Sequence, residues 1–173
     1  MQSNLAEKVE QLSPSPAAEN GATLTLTAVQ AYRADVADWF CDAVARKMDL
    51  PAEVRERVQL ALHEVVANAV IHGCLEVDGF ERDSVTGFAD YCQKVEERLD
   101  EPEFANRSIE IAGRWDADGI VVKVRDHGPG YDVAALQQAS AGALHRGLGL
   151  IQTLADALEI DDEGRRVTMQ FGL

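Results

Sequence analysis

From residue 22 to 28 threonines and apolar residues alternate strictly, Ala-Thr-Leu-Thr-Leu-Thr-Ala. That is the period of a strand with one buried face, and it turns Leu24 and Leu26 inward. The period then lengthens. Val36, Phe40, Val44 and Met48 recur every fourth residue, with Trp39 and Ala43 beside them. One helix is therefore expected from about Gln30 to Lys47. Asp49-Leu50-Pro51 breaks it, and Pro51 suits the first position of the next helix. This next helix runs to His72, because Leu62, Val65, Val66, Ala69 and Val70 hold helical spacing. Gly73 is expected to end it in the left-handed conformation.

Further along, Phe88, Cys92, Val95 and Leu99 share one helical face, and Pro102 stops that helix. Two strands follow. Residues 108–115 alternate, and Gly119-Ile-Val-Val-Lys-Val-Arg125 is a nearly continuous β-branched run. The Asp116-Ala-Asp-Gly119 turn between them makes an antiparallel hairpin. A loose Ala/Gln/Ser/Gly segment from Val133 to His145 comes next. Arg146-Gly-Leu-Gly-Leu then opens a helix bearing Leu150, Leu154 and Ala157 on one side. Strands at 157–161 and 166–173, joined by a turn at 162–164, close the chain.

Composition narrows the class. The chain has 173 residues, 46% of them hydrophobic, which is enough for one domain with a core. Residues 1–21 are polar and include Ser13-Pro14-Ser15-Pro16, so they read as a flexible arm ahead of a single domain at 22–173. Residues 74–107 hold ten acidic residues against four basic and form an acidic insertion. The net charge of −14 argues against direct nucleic-acid binding and against a membrane surface, and it permits a basic protein partner. Neither a bilayer-length apolar run nor a basic-then-apolar leader is present, so a cytoplasmic protein is expected. The three widely spaced cysteines suggest reduced thiols rather than a disulfide framework or a zinc site.

Three polar or glycine-rich elements each sit at the end of an apolar one. Glu64 and Asn68 lie one turn apart on a single helix face. Asn68 offers a neutral oxygen suited to Mg²⁺, which takes few protein ligands where phosphates supply the rest. Glu64 can orient or deprotonate an attacking hydroxyl. Read alone, the pair is a solvated stripe sooner than a site. Asp126 directly follows the buried strand, where a carboxylate can accept a hydrogen bond from an exocyclic amine such as that of adenine. Gly128 and Gly130 let the backbone approach a flat base. Alone, Asp-x-Gly-x-Gly is an ordinary turn. Gly147-Leu148-Gly149 at a helix start is a possible phosphate cradle or a hinge. Arg146 beside it either neutralises an outer phosphate or is a plain surface residue.

Together, and in this order, Glu64-x-x-x-Asn68, Asp126-x-Gly128-x-Gly130 and Gly147-x-Gly149 resemble the N, G1 and G2 boxes of the GHKL ATP-binding fold. The closer resemblance is to the bacterial anti-sigma-factor serine/threonine kinases, and it covers about residues 22–73 and 108–173. It implies an α+β two-layer sandwich, with helices on one face of a mixed, mostly antiparallel sheet. It also implies ATP and Mg²⁺ as cofactors, with Asn68 on the metal, Glu64 as general base and Asp126 on the adenine amino group. Gly128 and Gly130 would lie alongside the base, residues 133–146 would form a lid, and Gly147, Leu148 and Gly149 would contact phosphate. Thr168, in Val-Thr-Met on the last strand, would lie near adenine. A small antagonist protein as phosphoacceptor, a sequestered sigma factor and a homodimer follow from the same resemblance. Two other readings stay open: the ATP-binding module of a split histidine kinase, and a nucleotide-gated binding module without kinase activity. Relatives join the N-box helix to the hairpin by a short loop, so the insertion at 74–107 is a departure. His72 matches the family pattern but suggests only a structural hydrogen bond.

Overall fold

In the first strand, β1 (Gly21–Thr27), alternation does what the pattern requires: Leu24 and Leu26 are buried while Thr23 and Thr25 face solvent. The structure, a computed structural model, describes residues 20–78, 85–130 and 143–173, without the side chains of 85–86 and 143–146. Residues 1–19 of the expected arm and most of the expected lid therefore lie outside the described residues. β1 pairs with β2 (Ser108–Trp115), β2 with β3 (Gly119–Asp126), β3 with β5 (Arg166–Gly172), and β5 with β4 (Ala157–Asp161). All four pairings are antiparallel, so the sheet has no parallel component among the described residues.

The expected helix at 30–47 is two helices, α1 (Ala28–Arg33) and α2 (Val36–Ala45). Asp35 interrupts the apolar period: its carboxylate accepts the Asp38 N–H at 3.0 Å and caps α2. Thr27 and Gln30 form a capping box at the start of α1. The stripe survives the break, and Val36, Phe40 and Val44 are buried. Pro51 stands one position earlier than expected, as the N-cap of α3 (Ala52–Asn68). Its carbonyl accepts the Arg55 N–H at 2.9 Å.

One side of the sheet carries the core. Ile109, Ile111, Ile120, Val122, Met169 and Phe171 pack with Phe40 of α2, Val58 and Leu62 of α3, and Ile151 of α6 (Ala143–Leu154). The other side carries polar positions in register, such as the row Thr25, Glu110, Arg125, Arg166 and Asp161. This is the two-layer sandwich with helices on one face. Arg57 of α3 fastens the C-terminal end of α6. Its Nε donates to the Leu154 carbonyl at 2.8 Å and its Nη2 to Asp156 at 2.7 Å. A cation at a helix C-terminus satisfies both an orphan carbonyl and the helix dipole.

The insertion is docked. It forms α4 (Val85–Asp100) and α5 (Pro102–Ala105), so Pro102 opens a short helix rather than merely stopping one. Val95, Leu99 and Phe104 join the main core, whereas Phe88 and Cys92 of the expected face are exposed. The guanidinium groups of Arg98 and Arg107 lie over the Phe104 ring, 3.7 and 4.7 Å from its centre. Such stacking contributes about 0.5–1 kcal/mol at exposed sites. Arg107 also donates to the Cys74 carbonyl at 2.8 Å, which ties the insertion to the end of the α3 region. No helix among the described residues is long and apolar enough to cross a membrane.

Candidate functional site

Strand β3 delivers Asp126 to the cleft by register: Ile120, Val122, Val124 and Asp126 alternate on the core side, and all are buried. Asp126 is only 5% exposed. Its Oδ1 accepts the Gly128 N–H at 2.9 Å, and its own N–H donates to the Arg165 carbonyl at 3.0 Å. Burial pushes the carboxyl above its ordinary range, opposed by the Gly128 N–H and by the neighbouring His127 and Arg165 side chains. A buried acceptor of this kind suits an amine donor on a ligand.

Glycines let three chain segments close around that carboxylate. A Cβ at Gly73 would stand 2.5 Å from Asp126 Cγ, and one at Gly128 would fall on the Gly73 carbonyl oxygen. Gly73 is not the left-handed helix end the sequence suggested. Past Asn68 the helix continues as a π-helical stretch, Ala69–Cys74, and the left-handed residue is Glu76, at φ 53°. Gly73 is thus a glycine of close approach. Gly130 does need its conformation, at φ +80°, and a Cβ there would meet the Glu163 carbonyl. His72 donates from Nδ1 to the Val77 carbonyl at 2.7 Å, and burial pushes its pKa down, so it is a structural tie. Beside this junction, burial and the nearby Asp126 push the Cys74 thiol up to about 12.

The other end of the cleft is built by α3 and α6. Glu64 and Asn68 stand one turn apart, and a Cβ on Gly147 would lie 3.2 Å from Glu64 Oε2 and 3.1 Å from Asn68 Nδ2. Asn68 Nδ2 is buried and has no partner. The amide therefore carries an unsatisfied polar group into the cleft, at a cost of about 1–3 kcal/mol. Such an amide fits a role on bound phosphate or on its metal. Among the described residues no group of His, Cys, Asp and Glu could hold a metal ion. A Mg²⁺ would then take Asn68 as its protein ligand and oxygens of the nucleotide as the rest.

Between the two ends, Val65, Asn68, Val124, Asp126, Leu148, Ile151 and Arg165 line a cavity of only about 10 Å³. That is room for one water, so a purine would need this lining, one wall of which is Leu148 and Ile151 of α6, to part. The glycines explain why α6 stands so close. Gly147 and Gly149 lie inside α6, not at its start. Helical spacing of Leu144, Leu148 and Ile151 carries the helix back through both of them. Their N–H groups sit at positions that bond four residues back, so the open phosphate cradle expected at a helix start is not formed. Leu148 turns into the cavity. Arg146 belongs to the same helix, but its side chain lies outside the described residues.

Thr168 does not join the site. Strand period puts Val167 on the cleft side, and Thr168 stands on the opposite, open face between Lys123 and Glu159. Two contributors escaped the sequence reading. Gly73 was legible as a glycine but not as a packing partner. Arg165 carries the carbonyl that holds Asp126, and its guanidinium is held by Asp162 at 3.0 Å and Glu163 at 3.1 Å. Its only local signal is that it follows the turn glycine Gly164, at φ +83°.

A family model described as a histidine kinase-like ATPase domain matches residues 24–171. No curated protein matches the chain. The matched span includes both ends of the cleft and the insertion.

Proposed function

This chain belongs to the histidine kinase-like ATPase domain family and is an ATP-binding module of the GHKL type, and we propose that it works as a protein serine/threonine kinase of the anti-sigma-factor kind. The observation that carries the reading is the placement of Glu64. It stands one turn from Asn68 and across from Gly147, beside the cleft that Asn68 and Asp126 line. A base on the Asn68 side of that cleft is positioned for the terminal phosphate and for a hydroxyl approaching from outside.

Bound ATP would supply the phosphoryl group. Asp126 accepts from the base amine, and the glycine backbone at 73 and 128 leaves it room to do so. Asn68 would hold the Mg²⁺ together with the phosphate oxygens. Glu64 takes the proton of a serine or threonine hydroxyl as its oxygen bonds to the γ-phosphorus and the bond to the ADP oxygen breaks. In this reading the acceptor is a small antagonist protein. A sigma factor is the partner held when the antagonist is absent, and the working unit is a homodimer.

Incubation with Mg-[γ-³²P]ATP and candidate antagonist proteins tests this. Acid-stable phosphoserine or phosphothreonine that disappears in Glu64→Ala is expected. Acid-labile label on a partner would instead assign the split histidine kinase role. Nucleotide binding with no transfer to any partner would leave a nucleotide-gated binding module.

A further inference from the structure

Helix α3 has two flanks. On one, Val65 and Asn68 face the nucleotide cleft. On the other, His63, Val66, Ala67 and Val70 face a second groove, whose far wall is Tyr32 of α1 with Val36 and Ala37 of α2. This groove exists because the chain breaks at Ala34–Asp35: the turn between α1 and α2 leaves a gap against α3. Glu64 lies on the ridge between the two flanks, with Leu60 one turn before it, 47% exposed.

The groove encloses about 160 Å³, close to the ~150 Å³ of apolar cavities that admit a benzene-sized solute. One apolar side chain fills it. Tyr32 is 45% exposed at its rim. The insertion reaches the same place, since Tyr91 of α4 lies near enough to Tyr32 for their phenols to interact. In sequence, the acidic residues Asp35, Glu64 and Asp90 directly adjoin Val36, His63 and Tyr91, against Arg33 next to Tyr32.

We propose that this groove between α1, α2 and α3 docks the phosphoacceptor segment of the partner protein, and that the segment carries an apolar side chain near its serine or threonine and a basic flank. The proposal rests on the kinase reading. The argument is one of access. A general base must come within hydrogen-bond reach of the hydroxyl it deprotonates. On the cleft flank Gly147 of α6 stands against the Glu64 carboxylate, and bound phosphates would fill that flank once α6 gives way. The groove flank is open, apolar and concave. An acceptor segment anchored there by one side chain would cross the ridge at Glu64, so that its hydroxyl reaches the phosphate end with Glu64 beside it, and proximity supplies much of the rate. The insertion, absent from the expected family plan, would then help choose the partner through Tyr91 and its acidic surface.

Arrayed serine- and threonine-centred peptides incubated with Mg-[γ-³²P]ATP test the assignment. The parent is expected to label peptides with an apolar residue at a fixed offset from the acceptor and with Lys or Arg nearby. Ala67→Glu puts a charge on the groove wall, and Tyr32→Ala removes the rim at an exposed site that the core does not need. Each is expected to raise the peptide KM at least tenfold, with kcat little changed and the ATP-induced thermal shift intact. Parental labelling of the same peptides by both variants would overturn the docking site while leaving the kinase reading in place. No labelling by the parent, with the ATP shift present, would overturn both.

Discussion

The two ends of the cleft are built on different principles. At the Asp126 end three backbone segments interlock through glycines, and the carboxylate is held by Gly128 while its N–H is held by Arg165. Nothing there can shift alone. At the Glu64 end the parts are side chains on two helices, one amide nitrogen is unsatisfied, and the glycines are wound into α6. One end is finished before ligand arrives, and the other is completed by it. The base end supplies recognition at little reorganisation cost, and the phosphate end couples occupancy to movement of α6.

The largest effect is expected where the interlock is broken. Gly128→Ala drives a Cβ into the Gly73 carbonyl oxygen. Overpacking of this kind costs about 1–3 kcal/mol, sometimes more, or a few degrees of melting temperature per kcal/mol at this chain length. Calorimetry should show that loss together with loss of any ATP-induced shift. A variant that melts like the parent and still binds ATP would mean the base end is as pliable as the other.

Asn68→Ala probes the opposite end and should behave oppositely. It removes an unsatisfied buried group, so the ligand-free protein should be no less stable. Mg-ATP affinity should fall about tenfold or more, the equivalent of about 1.4 kcal/mol or more. Titration calorimetry with and without Mg²⁺ measures this, and an unchanged affinity would remove Asn68 from the phosphate end.

Asp126→Asn separates recognition from stability. Because burial raises the native pKa of Asp126 above its ordinary 3.8, the native state binds more protons than the unfolded one between those two values. Stability from this group is therefore greatest below pH 3.8 and falls as pH rises through the native pKa. At neutral pH the Asn variant should melt higher than the parent, and the gap should close in acid. ATP binding should be lost throughout. A gap that widens in acid would reverse the assignment of burial as the dominant cause.

The smallest effect is expected at Gly149, where a Cβ would meet nothing within 4 Å. Gly149→Ala should stabilise α6 by about 0.5–1 kcal/mol. If the helix must loosen to admit nucleotide, the same change should weaken ATP binding slightly.

What the sequence made legible follows the same division. β1 and the β2–β3 hairpin could be read because alternation and turn residues are local signals. Glu64 and Asn68 could be paired because helical spacing alone brings them together. The break at Ala34–Asp35 could not be read, because apolar spacing runs through it and only Asp35 as a cap marks it. Gly73 and Arg165 act by tertiary approach, for which one chain segment carries no signature. Gly147 and Gly149 misled because glycine suggests a helix end, whereas Leu144, Leu148 and Ile151 continue the helical period across them. Thr168 failed on register: a residue one place along a strand faces the other way.

The fastening of α6 by Arg57 has a mechanical consequence. With the Leu154 carbonyl and Asp156 both held, α6 is a beam clamped at one end. A clamped beam deflects least at its support and most at its tip. Gly147, which faces Glu64 and Asn68, lies toward the tip, while Ile151, buried in the core, lies near the support. A small rotation at Arg57 would thus be magnified where the phosphates would sit, with Ile151 displaced least and Leu148, which packs against the core, displaced more.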